Sequence, residues 1–511
     1  MNRVRRLLAT TALLCLATPA GAQNHVFFGN LHSHTSYSDG SGTPSQAYAR
    51  ARDVAHLDFL AITEHNHAAA EAGAGDRRDG LLIATNHSLY IGPQTEALIP
   101  TANRMNDDGH FVALYGQEFS TISSGNHVNV FQANDVIEVP NGAFAQLVTW
   151  LDAHQDAQNH PPIVQLNHPA DFDDPAAEYG ADDFGSTANW VATMGRYAML
   201  IEILVGPALE SVDGQRPHVM EGDYFSYLNL GFHLAPTGDQ DNHYRTWGTI
   251  TEARTAIVAP ELTRQALLDA IRSRHVYATQ DRNLELVAMV NGHLMGDVIA
   301  PPAVGSPLSI TLTIHDADEP NAAYRVEVFT DAGPGGPEAQ RVETFNLQGD
   351  SPAGQPYALD GITFQGTGEY LLLKVSQIPE DGPADRAWTA PVWFETGGGS
   401  SGGGGQVRIT ALLANPAGDE RQNESITLKN VGTASVNLSG WLLRDEAGQT
   451  WSLTSLGTLA PGASKTIKRN GQAMSLNNGG DTVSLLNSSG AIVQSLTYPA
   501  MTEGQAFTPP E

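Results

Sequence analysis

The sequence predicts an α/β domain followed by two all-β regions. Three observations carry this. From about residue 24 to 283, short apolar runs alternate with helical patterns. From about 284 the helical patterns stop, and strands separated by Gly- and Pro-rich turns take over. A Gly/Ser tract at 397–406, a flexible linker by composition, then cuts off a last β-rich stretch.

In the first region, Val26 to Leu31, Phe59 to Thr63, Phe111 to Gly116, Ile163 to Leu166 and Met199 to Val205 read as buried strands. Their near-continuous apolar character suits parallel strands covered on both faces. Helical patterns lie at Pro44 to His56, Ala143 to His154 and Leu262 to Arg274. Such β/α alternation defines the class. In the second region, Leu308 to Ile314, Tyr324 to Thr330 and Tyr370 to Val375 read as strands of a small β-sandwich. In the third, 407–500, Asn478-Gly479-Gly480-Asp481 marks a turn before the strand Thr482 to Leu486. Residues 501–511 read as a tail.

The chain has 511 residues, which at about 150 per domain suits three or four domains. With 56 acidic and 27 basic side chains the formal net charge is −29. That disfavours stable nucleic-acid binding or adhesion to anionic membrane, both of which need a basic surface. The single cysteine, Cys15, lies in the N-terminal leader, so disulfides, thiolate zinc sites and cysteine nucleophiles are excluded together. In that leader, Arg3, Arg5 and Arg6 precede the apolar run Leu7 to Ala17, and Ala20-Gly21-Ala22 forms an A-x-A cleavage signal. The expectation is a signal peptide, 1–22, and a periplasmic or secreted mature chain from residue 23.

The chemistry lies in the first half, because none of the 18 histidines follows His315. Polar residues gather where the strands end: His32-Ser33-His34 with Asp39, Glu64-His65-Asn66-His67, Gln117-Glu118, Asn167-His168-Pro169 and Asp239-Gln240-Asp241-Asn242-His243, with His127 opening a strand. Strand C-termini form the active face of β/α barrels. Each pair alone is weak evidence of a metal; the joint pattern decides. Imidazole and carboxylate without thiolate suit Zn, Mn or Fe, and a carboxylate such as Glu118 can bridge two ions that activate a water.

At these residues the sequence resembles the PHP (polymerase and histidinol phosphatase) family of metal-dependent hydrolases, over 23–283. The resemblance implies a distorted (β/α)7 barrel and a trinuclear site of divalent ions. One ion would be held by His32, His34, Glu118 and Asp241, a second by Glu118, His127 and His168, and a third by Asp39, His65 and His243. Gly116-x-Glu118, Gly125-x-His127, Arg254-Thr255 and Ala270-Ile271-Arg272 look like the exported CehA/McbA-like branch. The function implied is hydrolysis of a small phosphomonoester or phosphodiester by metal-activated water. The alternatives are a carboxylester or carbamate hydrolase using the same ions, and a surface-binding protein with the barrel as scaffold. Arg245 is the candidate for gripping the phosphoryl group, with Arg254 and Arg274 behind it; no lysine precedes Lys374. His67 could donate a proton to the leaving group or support a ligand. Asp239 could orient a ligand histidine or shape its loop, and Glu202 could face the site.

The last region, 407–500, resembles the lamin tail domain, an immunoglobulin-like sandwich. The carrying residues are Asn423-Glu424-x-Ile426-x-Leu428, Leu438-Ser439-Gly440-Trp441-x-Leu443, Leu459-Ala460-Pro461-Gly462, Gly480-Asp481-x-Val483-x-Leu485 and Tyr498. Such a domain could contact a surface or polymer, or stabilise passively. The stretch 284–396 carries no motif with an assignable chemistry, and it could pack on the barrel.

Overall fold

The computed structural model describes residues 24–70, 80–93, 96–119, 126–154, 162–169, 179–331, 339–352, 355–366, 370–379, 382–395, 407–431, 436–438, 441–445, 448–460, 462–486 and 492–509. The expected leader and the Gly/Ser linker lie outside them.

Among the described residues, ten strands build the first region: β1 (His25–Asn30), β2 (Phe59–His65), β3 (Val112–Phe119), β4 (Val128–Phe131), β5 (Ile163–Leu166), β6 (Ala198–Val205), β7 (His218–Val219), β8 (Ala235–Gly238), β9 (Arg254–Ala259) and β10 (Val276–Thr279). The sheet order is β10-β9-β1-β2-β3-β4-β5-β6-β7, with β8 beside β6. Both β2 and β3 are buried along their whole length, their polar ends Glu64-His65 and Gln117-Glu118 included. Helices Pro44–Asp53, Leu98–Met105, Phe144–Ala153, Thr187–Met194, Glu221–Asn229 and Arg264–Arg272 accompany the strands. The first is started by Thr43, whose hydroxyl accepts from the Gln46 amide in a capping box, with Pro44 in the first turn.

The sheet is not the regular parallel array that the apolar runs suggest. The pairs β1/β2, β2/β3, β5/β6 and β6/β8 are parallel. Strand β4 runs antiparallel to both β3 and β5, and β9 runs antiparallel to β1 and β10. The reversal at β4 follows from chain length: only residues 120–127 separate it from β3. A parallel crossover needs a dozen residues or more. Nor does a strand ladder join β8 to β9. Asp239, just past β8, links them instead: its Oδ1 accepts from the Leu31 amide at 2.7 Å and from the Thr255 hydroxyl at 2.9 Å. At Gly238 no side chain fits, because a Cβ there would lie 2.6 Å from the Arg254 carbonyl oxygen. The His34 amide donates to the Asn242 carbonyl at 2.8 Å a little further on. Side chains and loops therefore draw the two ends of the sheet together.

The second region contributes β11 (Glu285–Val290), β12 (His293–Leu294), β13 (Val298–Ile299), β14 (Ile310–His315), β15 (Ala323–Thr330), β16 (Gln340–Gln348), β17 (Tyr357–Ala358), β18 (Tyr370–Ile378), β19 (Asp385–Thr389) and β20 (Val392–Phe394). Strands β12-β11-β14-β17 make one sheet. The others extend the first region's sheet, because β19 pairs antiparallel with β10, Tyr277 opposite Thr389. One apolar core is shared: Val258 and Ile271 pack in the same cluster as Leu286, Leu312, Val326 and Leu373.

Among its described residues the third region is all-β but for the one-turn helix Glu420–Asn423 and a 3-10 turn at Thr454–Leu456. A three-stranded sheet and a four-stranded sheet enclose Leu428, Trp441, Trp451, Ile467, Val483 and Tyr498. Trp441, 5% exposed, is a core residue. Residues past 500 fold back onto this domain: Met501 enters its core, and Phe507 exchanges two backbone hydrogen bonds with Leu412.

Candidate metal centre

Strands β1, β2, β3, β5 and β8 point one way, and β4 starts where they finish. The sequence-predicted ligands thus arrive at one end of the sheet. His32, His34 and Asp39 follow β1, His65 closes β2, and Glu118 lies near the end of β3. His127 precedes β4, His168 follows β5, and Asp241 and His243 follow β8. The turn carrying Asp39 needs Gly40, where a Cβ would lie 2.8 Å from the Thr35 amide nitrogen. His168 and Asp241 have left-handed backbones, with φ of 32° and 47°. Non-glycine residues in that region store strain, and such residues cluster at functional sites.

Three overlapping groups of donor atoms result, the atoms of each lying within 4.8 Å of one another. The first is His32, His34, Glu118 and Asp241. Asp241 Oδ1 is 3.1 Å from Nε2 of both histidines, and the Glu118 oxygens are 3.2 and 3.1 Å from the same two nitrogens. The second is His34, Asp39, His65 and His243, with His243 Nε2 3.2 Å and His65 Nε2 3.6 Å from Asp39 Oδ1. The third joins His65 and His127 to Glu118, each 3.0 Å away through Nδ1. His168 stands slightly apart, its Nε2 3.5 Å from Glu118 Oε1. His65, assigned by resemblance to one ion, therefore stands between two groups.

The charges answer one another. Burial opposes protonation of His34, yet Asp241 and Glu118 hold its ring up at about 10; Glu118, Glu202 and Asp241 do the same for His168, at about 9. Burial alone would raise Glu118, but His32, His65 and His127 keep it well below the usual carboxylate range. His65 goes the other way, pushed down chiefly by burial. Buried imidazole nitrogens that face each other and share carboxylate oxygens are the donor set of divalent transition metals. The residues present fit such ions.

A surrounding layer fixes these ligands. Glu202 on β6 accepts from His32 Nδ1 at 2.8 Å, which presents His32 Nε2 to the centre, and from the strained His168 amide at 2.7 Å. Asn167 donates to Glu118 at 2.9 Å, and Asn126 Oδ1 faces His168 Nδ1 at 2.9 Å. Glu64 is fully buried and accepts from the Thr35 amide at 3.0 Å and the Ser38 hydroxyl at 2.5 Å, clamping the turn between His34 and Asp39. The Trp247 indole donates to the His34 carbonyl at 2.9 Å, and the Tyr179 hydroxyl to the Asn167 carbonyl at 2.6 Å. Asp239 shapes the seam rather than orienting a histidine. Trp247 and Tyr179 were invisible to sequence reasoning, which had no signal for residues acting on a distant backbone carbonyl.

The other expected residues divide. His67 sits beside the centre, its ring 5.2 Å from that of His65, with both ring nitrogens buried and without a hydrogen-bond partner. Burial, then the neighbouring His127, lowers it to about 4, so at neutral pH it is uncharged. Arg245 is exposed, its Nε next to Gly42. Arg254 donates to the Thr251 and Ala253 carbonyls, and Arg274 lies over the Trp393 ring, so both are engaged in the fold.

Residues 400–500 match the family model of the Lamin Tail Domain. No curated protein matches the chain. A solved structure that it resembles is a two-domain protein from Bacteroides vulgatus ATCC 8482 containing a predicted PHP-like metal-dependent phosphoesterase, at 12% identity. The match covers 72% of this chain and 96% of that one, with a TM-score of 0.36. A likeness that faint carries no argument about activity. The donor geometry stands on its own.

Proposed function

We propose that the chain is an exported metal-dependent hydrolase acting on small phosphoric esters, with a C-terminal module free to contact a surface or polymer. The observation that supports it is the convergence of three overlapping imidazole–carboxylate groups at one end of the sheet. His32, His34, Glu118 and Asp241 would hold one divalent ion, Glu118 with His127 and His168 a second, and Asp39, His65 and His243 a third, with His65 placed to serve the second also. Ions in such a site lower the pKa of bound water and neutralise charge on the reacting oxygens. The chain's own groups prepare the rest. Glu202 fixes the His32 tautomer, Glu64 fixes the Thr35–Gly40 turn, and Asn167 restrains Glu118. His67, uncharged and unpartnered, accepts a proton at a ring nitrogen or orients a water. Arg245, exposed and two residues after His243, would bind the anionic oxygens of the substrate. The export reading is supported by the charged, apolar and small-residue sections of the first 22 residues.

The test uses the mature chain from Gln23, loaded with Zn or Mn, against p-nitrophenyl phosphate, bis-p-nitrophenyl phosphate, p-nitrophenyl acetate and a naphthyl carbamate, with His32→Ala as blank. Phosphate ester turnover that the variant lacks is the expected result. Turnover of acetate or carbamate alone would transfer the same centre to carboxylic or carbamic esters. Metal-loaded protein inert towards all four substrates would overturn the hydrolase reading.

A further inference from the structure

A second cluster of carboxylates lies where the end of β10 meets the second region. Asp281 follows β10, Asp316 follows β14, and Glu319 is in the next turn; one oxygen of each lies within 4.8 Å of the others. The nearby Arg282 is taken by Asp318, which its Nε meets at 3.2 Å. Backbone amides use one oxygen each of two acids: Asp316 Oδ1 accepts from Asp318 and Glu319, and Asp281 Oδ1 from Asn283 and Leu284.

Two buried neutral oxygens nearby have no hydrogen-bond partner. Gln377 on β18 is 6% exposed and donates through Nε2 to Asp316 Oδ2 at 2.8 Å, while Oε1 of the same amide is buried without a hydrogen-bond partner. Its partner across the ladder is Tyr324 on β15, 1% exposed, with a hydroxyl that is likewise buried and unpartnered. Burial, followed by the charges of Asp316, Asp350, Asp281 and Glu319, pushes the Tyr324 phenol up; residues directly opposite in a ladder share a face, so Tyr324 lies on the side of the sheet that carries Gln377. Asp350 is itself engaged by His315 and the Asp316 amide. Buried polar atoms in a folded protein are normally satisfied by protein, water or an ion.

We propose that Asp281, Asp316 and Glu319, with Gln377 Oε1 and bordered by the Tyr324 hydroxyl, form a calcium site that ties the catalytic region's last strand to the β-rich second region. The donor set is all oxygen, which selects a hard cation and sets this site apart from the imidazole-rich centre. Calcium accepts six to eight oxygens in flexible geometry, whereas magnesium demands an octahedron. The acids come from both regions, so the ion acts as a cross-link.

The experiment uses full-length mature protein with its imidazole centre saturated by zinc. Calcium at a hundredfold excess over its dissociation constant raises the melting temperature by roughly 5 °C, and magnesium raises it less. Terbium, a calcium mimic, gives tyrosine-sensitised luminescence that calcium displaces and that Tyr324→Phe weakens. The double variant Asp281→Asn, Glu319→Gln keeps the amide acceptor on residue 281, changes only an exposed group at 319, and folds. It loses both the calcium shift and the terbium signal. A wild-type protein without either response, or a double variant that keeps both, overturns the proposal.

Discussion

The candidate metal centre and the C-terminal domain both bury acids, and they satisfy them differently. In the C-terminal domain Glu424, fully buried, is answered from within: Arg469 Nη1 at 3.2 Å, the Ser475 hydroxyl at 3.3 Å and the Leu476 amide at 3.1 Å. One charge meets one charge, and the remaining acceptor sites take neutral donors. At the strand-end face, Asp39, Glu118 and Asp241 meet a ring of imidazoles, and no lysine is within the region at all. A buried carboxylate without a fixed cation is costly. The internally closed network serves stability, and the open one is suited to taking cations from outside.

That contrast can be broken at several points. The largest effect belongs to Glu118, common to two donor groups. Glu118→Gln should lower turnover by roughly 10³-fold, the scale for deleting one electrostatic group aimed at the reacting oxygen. It should also remove at least one bound ion per chain by elemental analysis. Normal metal content would show the face to be as self-contained as the Glu424 network. In the other region, Trp451 is fully buried and its indole donates to the Met474 carbonyl at 2.8 Å. Trp451→Ala should cost that domain about 3–5 kcal/mol in urea unfolding and leave the bound metal unchanged. A fall in metal content would mean the two regions are energetically coupled.

Glu202→Gln sharpens the comparison, because Glu202 holds ligands without belonging to any donor group. We expect metal affinity to drop about 10–100-fold in chelator competition, with turnover recovered at saturating metal. Turnover that stays low would place Glu202 among the reacting groups instead. The smallest effect concerns Asp58, which accepts from the Phe28 amide at 2.7 Å at the start of β2. Burial, with a further push from Glu285, holds its carboxyl at about 6 against the pull of that amide. An ordinary aspartate titrates near 3.9. The native state therefore binds this proton more tightly than the unfolded chain. Its stabilising contribution is complete below about pH 4 and is lost as pH rises through about 6. Asp58→Asn should flatten urea midpoints across that window, and an unchanged slope would refute the assignment.

The clustering of the candidate ligands is legible because each closes or adjoins an apolar run, and the switch from apolar to His, Asp or Glu marks the strand end. His32, His34, His65 and Glu118 are found this way. What escapes is whatever depends on distant pairing. Glu202 is legible only as a strand acid that could face the site; that it orients an imidazole 170 residues away is encoded by nothing around Met199–Val205. The direction of β4 escapes as well, because it rests on pairing with β3 and β5. Arg254 looks available in the sequence, yet two carbonyls of its own loop occupy it. The C-terminal core was readable for the opposite reason: alternating apolar positions in strands such as Ser425–Asn430 assign inside and outside locally.

The ladder between β10 and β19 has a practical consequence. Residues 254–279 and 370–394 are woven into one fabric, so protease cleavage between them would nick the protein without releasing a fragment. Deleting everything after Asn283 would leave β10 paired with β9 alone and bare a row of amides and carbonyls along its other edge, the template on which sheets aggregate. The smallest piece that could be transplanted, shuffled or inherited with the candidate metal centre intact runs through to Phe394.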